Sequence, residues 1–193
     1  MLEEEYQPRR QLPLHLRPVE PEDPGFRYEL RAAELGDLPS IREIYNHYVV
    51  NSSVTFDDST WSFPELRKKF ETGSQGGYPW VVAVSPSGQL LGFAYVFPWN
   101  PKASYRFSVE DYIYLGPAST GKGLGRALLG DLIARSKAAG LKAMIAVIAD
   151  KGADASIRLH ESFGFKTTGR MGKVGYKYDR WLGTVMMEKN LRK

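Results

Sequence analysis

Apolar residues in this chain alternate between two periods, and the changes of period mark its elements. Leu38, Ile41, Ile44, Tyr45 and Tyr48 recur at helical spacing and predict a helix capped by Asp37 that runs to about Asn51. Ser62 and Glu65 stand at capping-box spacing ahead of a second helix that ends near Gly73. Two apolar runs, Trp80–Val84 and Leu90–Phe97, flank Ser85-Pro86-Ser87-Gly88 and predict a hairpin. Val109–Leu115 reads as a further strand, and Arg27–Arg31 as a short one at the start. Leu124, Ala127, Leu128 and Leu132 predict a helix stopped by Gly140. Ala143–Ile148 is a buried-strand pattern, Ala153–Phe163 a helix closed by Gly164, and strands follow around Phe165–Met171 and Trp181–Glu188. The order β-α-α-β-β-β-α-β-α-β-β predicts a mixed sheet with helices on both faces, in the α/β (α+β) class.

Composition narrows the picture. A hydrophobic fraction of 42% with 25% charge over 193 residues fits one domain with a sizeable core. The absence of cysteine removes disulfides, thiolate metal sites and cysteine nucleophiles. Residues 1–26 hold five prolines (Pro8, Pro13, Pro18, Pro21 and Pro24) among many charges and predict an irregular arm ahead of a domain spanning 27–193. The opening Met1-Leu2-Glu3-Glu4-Glu5 lacks the apolar core of a secretion signal, and no run approaches the roughly 20 apolar residues that cross a bilayer. A cytoplasmic protein that engages neither membrane nor nucleic acid is expected.

Charge is divided unevenly. Residues 1–115 carry 11 Lys/Arg against 16 Asp/Glu, a balance of −5, and residues 116–193 carry 15 against 6, a balance of +9. The positive half suits a polyanionic small ligand, since its cations are spread over several elements rather than gathered in one run. The glycine-rich turn Gly121-Lys122-Gly123-Leu124-Gly125-Arg126 lies in that half, between a strand and a helix. Glycines let backbone approach an anion closely, and a first helical turn offers it unpaired N–H groups. Gly116 to Lys122 also imitates a nucleotide-triphosphate loop, with Met144–Asp150 as an apolar strand ending in an acid. Gly123 follows Lys122 where that loop needs a magnesium-binding hydroxyl, and too few strand–helix units follow for a doubly wound nucleotide domain.

These residues resemble the GNAT superfamily, the acetyltransferases related to the histone and aminoglycoside enzymes. In that superfamily a strand leads into a [QR]-x-x-G-x-[GA] turn that binds the pyrophosphate of acetyl-CoA. Thr120 through Gly125 match that turn, with Thr120 replacing Gln or Arg. A narrower likeness covers about residues 28–190. The blocks Ile44-Tyr-Asn-His-Tyr48, Ser108-Val-Glu110, Gly121–Arg126, Ser156-Ile-Arg-Leu-His160, Gly164-Phe165 and Trp181-Leu182 fall in order as in the phosphinothricin and methionine sulfoximine N-acetyltransferases. Those enzymes are typically homodimers that acetylate the α-amino group of small amino-acid analogues. The resemblance implies a mixed, mostly antiparallel central sheet, acetyl-CoA as donor, and direct acetyl transfer to an amine. Ala153 stands where the superfamily often has an Asn that contacts the pantetheine arm, which costs on the order of 1 kcal/mol of cofactor binding.

The same resemblance distributes roles. Glu110 is the expected general base, because the strand it opens leads into the cofactor turn. Asp111 points to the opposite strand face and is left out. His160, on one helix face with Ser156, is the expected proton donor to the departing thiolate. Backbone at Ile113, Tyr114 and Leu115 is expected to hold the thioester. Gly121, Lys122, Gly123, Leu124, Gly125 and Arg126, with Ser156 and Ser162, are the further cofactor contacts. Ala103, Ser104, Tyr105 and Arg106 fall beside the acceptor, Arg106 as a carboxylate partner four residues ahead of Glu110 on one strand face. Tyr45, Asn46 and Phe56 are expected as the far wall. His15 lies in the arm, His47 reads as helix packing, and neither stands with carboxylates at metal-ligand spacing, so no metal is expected. Acetylation of protein N-termini or lysines, and a silent acyl-CoA-binding module, remain the alternatives at this point.

Overall fold

The predicted elements all form, and the differences lie at their ends. The computed structural model describes residues 25–192, so nearly all of the Pro-rich arm lies outside the described residues. Strand β1 spans Glu29–Ala32, helix α1 Leu38–Asn51, helix α2 Phe63–Gln75, β2 Trp80–Val84, β3 Leu90–Pro98 and β4 Ser108–Leu115. Helix α3 spans Leu124–Ala138, β5 Ala143–Ala149, α4 Asp154–Ser162, β6 Lys166–Lys177 and β7 Arg180–Asn190. The seven strands form one sheet in the order β1-β2-β3-β4-β5-β7-β6. Every neighbouring pair is antiparallel except β4 and β5.

Two helix ends depart from their sequence signals for identifiable reasons. Asp37 precedes α1 without capping it through its side chain. Its carboxylate instead accepts from the Glu34 amide at 2.8 Å and holds the Arg31 guanidinium at 2.7 and 2.8 Å. The Ser62–Glu65 capping box forms in both directions. Gly73, however, does not stop α2, which continues to Gln75. Its role is clearance, because a Cβ there would lie 2.7 Å from the Trp80 indole nitrogen.

The sheet is apolar on both faces. On one face α1 and α2 bury Leu38, Ile41, Ile44, Tyr45, Leu66 and Phe70 against Val82, Phe93 and Tyr95. On the other, Leu124, Leu128, Leu129 and Leu132 of α3 are fully buried against Val81, Ala94 and Val96. Each such leucine contributes about 1.5–3 kcal/mol by burial.

The last hairpin is longer than its pattern predicts. Strand β6 continues six residues past Met171, through a bulge between Met171 and Gly175 where Lys173 adopts φ of +80°. Gly172-Lys173-Val174-Gly175 reads as a turn, yet the turn falls at Tyr178-Asp179, both left-handed. The tip is fastened to the opposite layer. Lys177 donates to the carbonyls of Thr55 and Asp57 at 2.9 Å each, and the Tyr178 hydroxyl reaches those of Val49 and Val50.

Strands β4 and β5 create the opening that matters for function. A parallel pair requires a crossover, and α3 supplies it. The two strands pair only from Ser108↔Ala143 to Glu110↔Ile145. Beyond that point β4 follows β3 alone as far as Leu115, and β5 follows β7 alone as far as Ala149. The sheet therefore splits.

Candidate active site

The split opens a cleft of about 420 Å³. Ile113, Tyr114 and Leu115 line one side, Ala146 to Ala149 the other, and Gly125, Ser156, Leu159 and His160 its floor and mouth. The glycine turn stands at one end. Gly121 and Gly123 adopt φ of +75° and +77°, where a side chain would strain the backbone. Gly123 is the N-cap of α3 and no side chain caps the first turn, so the leading amides are left for an anion. Both glycines have open space where a Cβ would stand. An apolar slot ending in open, uncapped amides suits a ligand with a slender arm and a pyrophosphate, which is the chemistry of coenzyme A. The triphosphate-loop reading loses its acid as well, because the Asp150 carboxylate accepts the Gly183 amide at 3.0 Å.

Glu110 occupies the last paired position before the split, opposite Phe97 and Ile145. Its carboxyl faces α2 and accepts from the Tyr112 hydroxyl. Burial pushes its pKa up; the Tyr112 bond and the Lys69 charge oppose this, the Asp111 charge adds to it, and the result is about 7. A carboxylate poised there exchanges protons near neutrality. Burial raises the Tyr112 hydroxyl further still, with the Glu110 charge adding to it, so it stays a donor.

Asp111 turns to the other face, as its place on the strand requires, and meets His160. Its Oδ2 lies 2.9 Å from Nε2, with both side chains almost wholly buried. The other ring nitrogen, Nδ1, lies 2.7 Å from the Ser156 carbonyl. A carbonyl only accepts, so Nδ1 carries hydrogen, and Nε2 and the carboxyl share one further proton. Burial opposes the charged ring, but the Asp111 bond and charge and the Ser156 carbonyl outweigh it, and the His160 pKa is raised. Asp111 Oδ1 is buried without a partner, and both residues line the cleft. This pairing across 49 positions of sequence separation is a site element that the strand-alternation argument had left out.

The remaining expected residues divide. Arg126 donates to Ser162 Oγ at 2.9 Å and stacks on Phe163, while Lys122 lies over Phe26, so both cations flank the glycine turn. Ser162 therefore sits beside Arg126 and outside the cleft lining, whereas Ser156 and Leu124's neighbour Gly125 line it. Tyr45 is buried, donating to the Asp57 carboxylate and stacked on Trp61. Asn46 clamps the Trp61 backbone, accepting through Oδ1 at 2.8 Å and donating through Nδ2 at 3.1 Å. Phe56 packs over Gly175, where any Cβ would enter its ring. Ala103, Ser104 and Tyr105 form an exposed 3-10 turn. Strand β4 starts at Ser108, so Arg106 lies in that turn and not on the Glu110 strand face; it stacks on Phe107. The residues missed by sequence are Asp111, Tyr112 and Lys69, the last because it reads as one of three consecutive surface cations.

Comparison with known proteins agrees with this geometry. The profile of the acetyltransferase (GNAT) family matches residues 38–165. The methionine sulfoximine/methionine sulfone acetyltransferase of Pseudomonas aeruginosa is 39% identical over 162 residues, covering 84% of this chain and 94% of that protein. The phosphinothricin N-acetyltransferase of Alcaligenes faecalis is 37% identical over 162 residues, covering 84% and 82% respectively. A phosphinothricin acetyltransferase of Sinorhizobium meliloti, solved with acetyl-CoA, superposes with a TM-score of 0.80 at 43% identity over 84% of this chain and 88% of that one. With the split sheet, the uncapped glycine turn and the family profile in agreement, the chain belongs to the GNAT acetyltransferase family and is an acetyl-CoA-dependent N-acetyltransferase.

Proposed function

We propose that the enzyme acetylates the α-amino group of a small amino acid or analogue, of the phosphinothricin, methionine sulfoximine or methionine sulfone type. Glu110 carries this reading: a carboxyl with a pKa of about 7 stands where the paired sheet ends and the cleft begins. An α-ammonium has a pKa of about 7.7–8.0, so near neutrality the acceptor must surrender a proton before it attacks. Glu110 takes that proton, directly or through water, with its carboxylate held by the Tyr112 hydroxyl. The relatives named above for these acceptors support the acceptor class.

When bound, acetyl-CoA supplies the activated acetyl group. The amides of Gly121, Gly123, Leu124 and Gly125 hold its pyrophosphate, with Lys122 and Arg126 adding charge. The backbone of Ile113, Tyr114 and Leu115 orients its arm along the cleft. A proton for the departing sulfur is kept at His160 Nε2, stabilised by Asp111. Tyr105 and its turn border the acceptor beside Glu110. We place the reaction in the cytoplasm, with detoxification of amino-acid analogues as its purpose.

We further propose a homodimer through the outer face of β6 and β7. There Val174, Tyr176, Tyr178 and Trp181 are 49–55% exposed beside the free edge of the sheet. Sedimentation equilibrium should show two copies, and Trp181→Lys should shift the species towards one.

The acceptor is tested by supplying purified enzyme with acetyl-CoA and each of methionine sulfoximine, methionine sulfone and phosphinothricin, and following thiol release. Release with at least one of them is expected. Silence with all three and with a panel of free amino acids, alongside turnover of peptides, would overturn the reading.

A further inference from the structure

Lys69 projects from α2 into a cage of four aromatic rings. Its Nζ lies 5.2 Å from the ring centroid of Trp61, 5.3 Å from Tyr95, 5.0 Å from Phe97 and 5.5 Å from Tyr112. Phe97 and Tyr95 are the direct cross-strand partners of Glu110 and Tyr112, so the ammonium sits over the strand quartet that carries the base. Lys69, Trp61, Phe97, Tyr112 and Glu110 are each only half-buried, so each keeps some surface in contact with solvent.

Among the described residues no carboxylate is in ion-pair contact with this charge. Arg31–Asp37, Arg67–Glu71, Arg135–Asp131 and His160–Asp111 are ion pairs of the described residues, and none includes Lys69. Asp57 and Glu110 are near enough to favour its charged form without touching it, and burial lowers its pKa. Asp57 is committed to the Tyr45 hydroxyl, and Glu110 to that of Tyr112. Ring faces attract a cation but accept no strong hydrogen bond, so they hold the ammonium in place and leave its N–H donors for an incoming group.

Any α-amino acid that presents its nitrogen to Glu110 brings its carboxylate to the same place, since one carbon separates the two. We propose that Lys69 determines acceptor specificity by binding the carboxylate of the amino acid whose amine Glu110 deprotonates. The assignment rests on the acceptor class proposed above. It gives the anion-binding role to a caged cation on α2, ahead of Arg106, which is exposed and stacked on Phe107.

The test compares a free amino acid acceptor with its carboxamide, in the wild-type enzyme and in Lys69→Met, Lys69→Gln and Lys69→Arg, with acetyl-CoA saturating. A charge-assisted hydrogen bond lost on binding corresponds to about a 10- to 100-fold rise in KM for the acid. That rise is expected in Lys69→Met and Lys69→Gln, with the carboxamide KM and the acetyl-CoA KM changed by less than about 3-fold and Lys69→Arg partly restoring the acid. An equal loss with acid and carboxamide, with the pH profile displaced, would make Lys69 a tuner of Glu110 and overturn the proposal. An unchanged acid-to-carboxamide ratio in the variants, with the wild type active, overturns the Lys69 assignment alone. No wild-type turnover of any free amino acid overturns the acceptor class and this assignment with it. If the neutral variants fail to fold, a wild-type preference for acid over carboxamide near one overturns the proposal, and a preference that Lys69→Arg preserves supports it.

Discussion

Glu110 and Asp111 are chemically alike and adjacent, yet the pleat sends them to opposite layers and different partners. Glu110→Gln keeps the shape and removes the base, so kcat/KM is expected to fall about 10²- to 10⁴-fold. The acidic limb of the wild-type pH profile, near pH 7, should disappear with it. The same burial makes Glu110 a liability to the fold. Its folded pKa of about 7 exceeds the ordinary value of 4.5, so the folded state holds a proton that the unfolded state has lost, and stability falls as pH rises between them. Glu110→Gln should therefore stabilise the protein by on the order of 2 kcal/mol at pH 8 and by little at pH 4.5, measured by urea unfolding. His160 depends on pH in the same direction but as a gain to the fold, because the Asp111 carboxylate raises its pKa. That interaction stabilises the fold fully below about pH 6.5, the unfolded value, and is lost as pH rises through the folded one. Asp111→Ala leaves the ring buried without its partner, at a cost of about 3–5 kcal/mol that should be greatest near pH 5.5 and smaller near pH 8.5.

At the scale of elements, glycine shows what a sequence conveys and what it conceals. Gly121 and Gly123 precede α3 in the left-handed region, and their spacing suggested close approach of an anion without saying which. Gly73 is the same residue type near a helix end, but it serves Trp80, which lies on β2 and is joined to it only by tertiary packing. Gly73→Ala improves helix propensity by about 1 kcal/mol and forces a Cβ into the indole, so a net loss of about 1–2 kcal/mol is expected in thermal unfolding. Equal or greater stability would show that the ring yields without cost. The hairpin at Tyr178 was obscured for a related reason, since the glycine-rich bulge before it carries the stronger turn signal. Local pattern thus made the order of elements and the sheet class legible, and it singled out Glu110 as the expected base. The Asp111–His160 pair and the Lys69 cage join residues from separate elements, and no periodicity records which side chains meet across a sheet.

For the whole molecule, the order of strands separates two tasks. On the function proposed above, layer α1–α2 borders the acceptor side around Glu110, Lys69 and the aromatic rings, while layer α3–α4 borders the donor turn and His160. The β6–β7 tip ties the layers together through Lys177 and Tyr178, so a change there reaches α1 and the loop behind it. Where β4 and β5 part after Glu110, each keeps one inner edge whose amides have no strand to bond. Those edges should be the fast-exchanging rungs of an otherwise protected sheet. Acetyl-CoA lying in the gap covers both edges. Deuterium uptake should then slow along 111–115 and 146–149, and stay as it was along β2 and β3. Uniform slowing over the whole sheet would mean instead that the donor steadies the entire fold and that the gap has no mobility of its own.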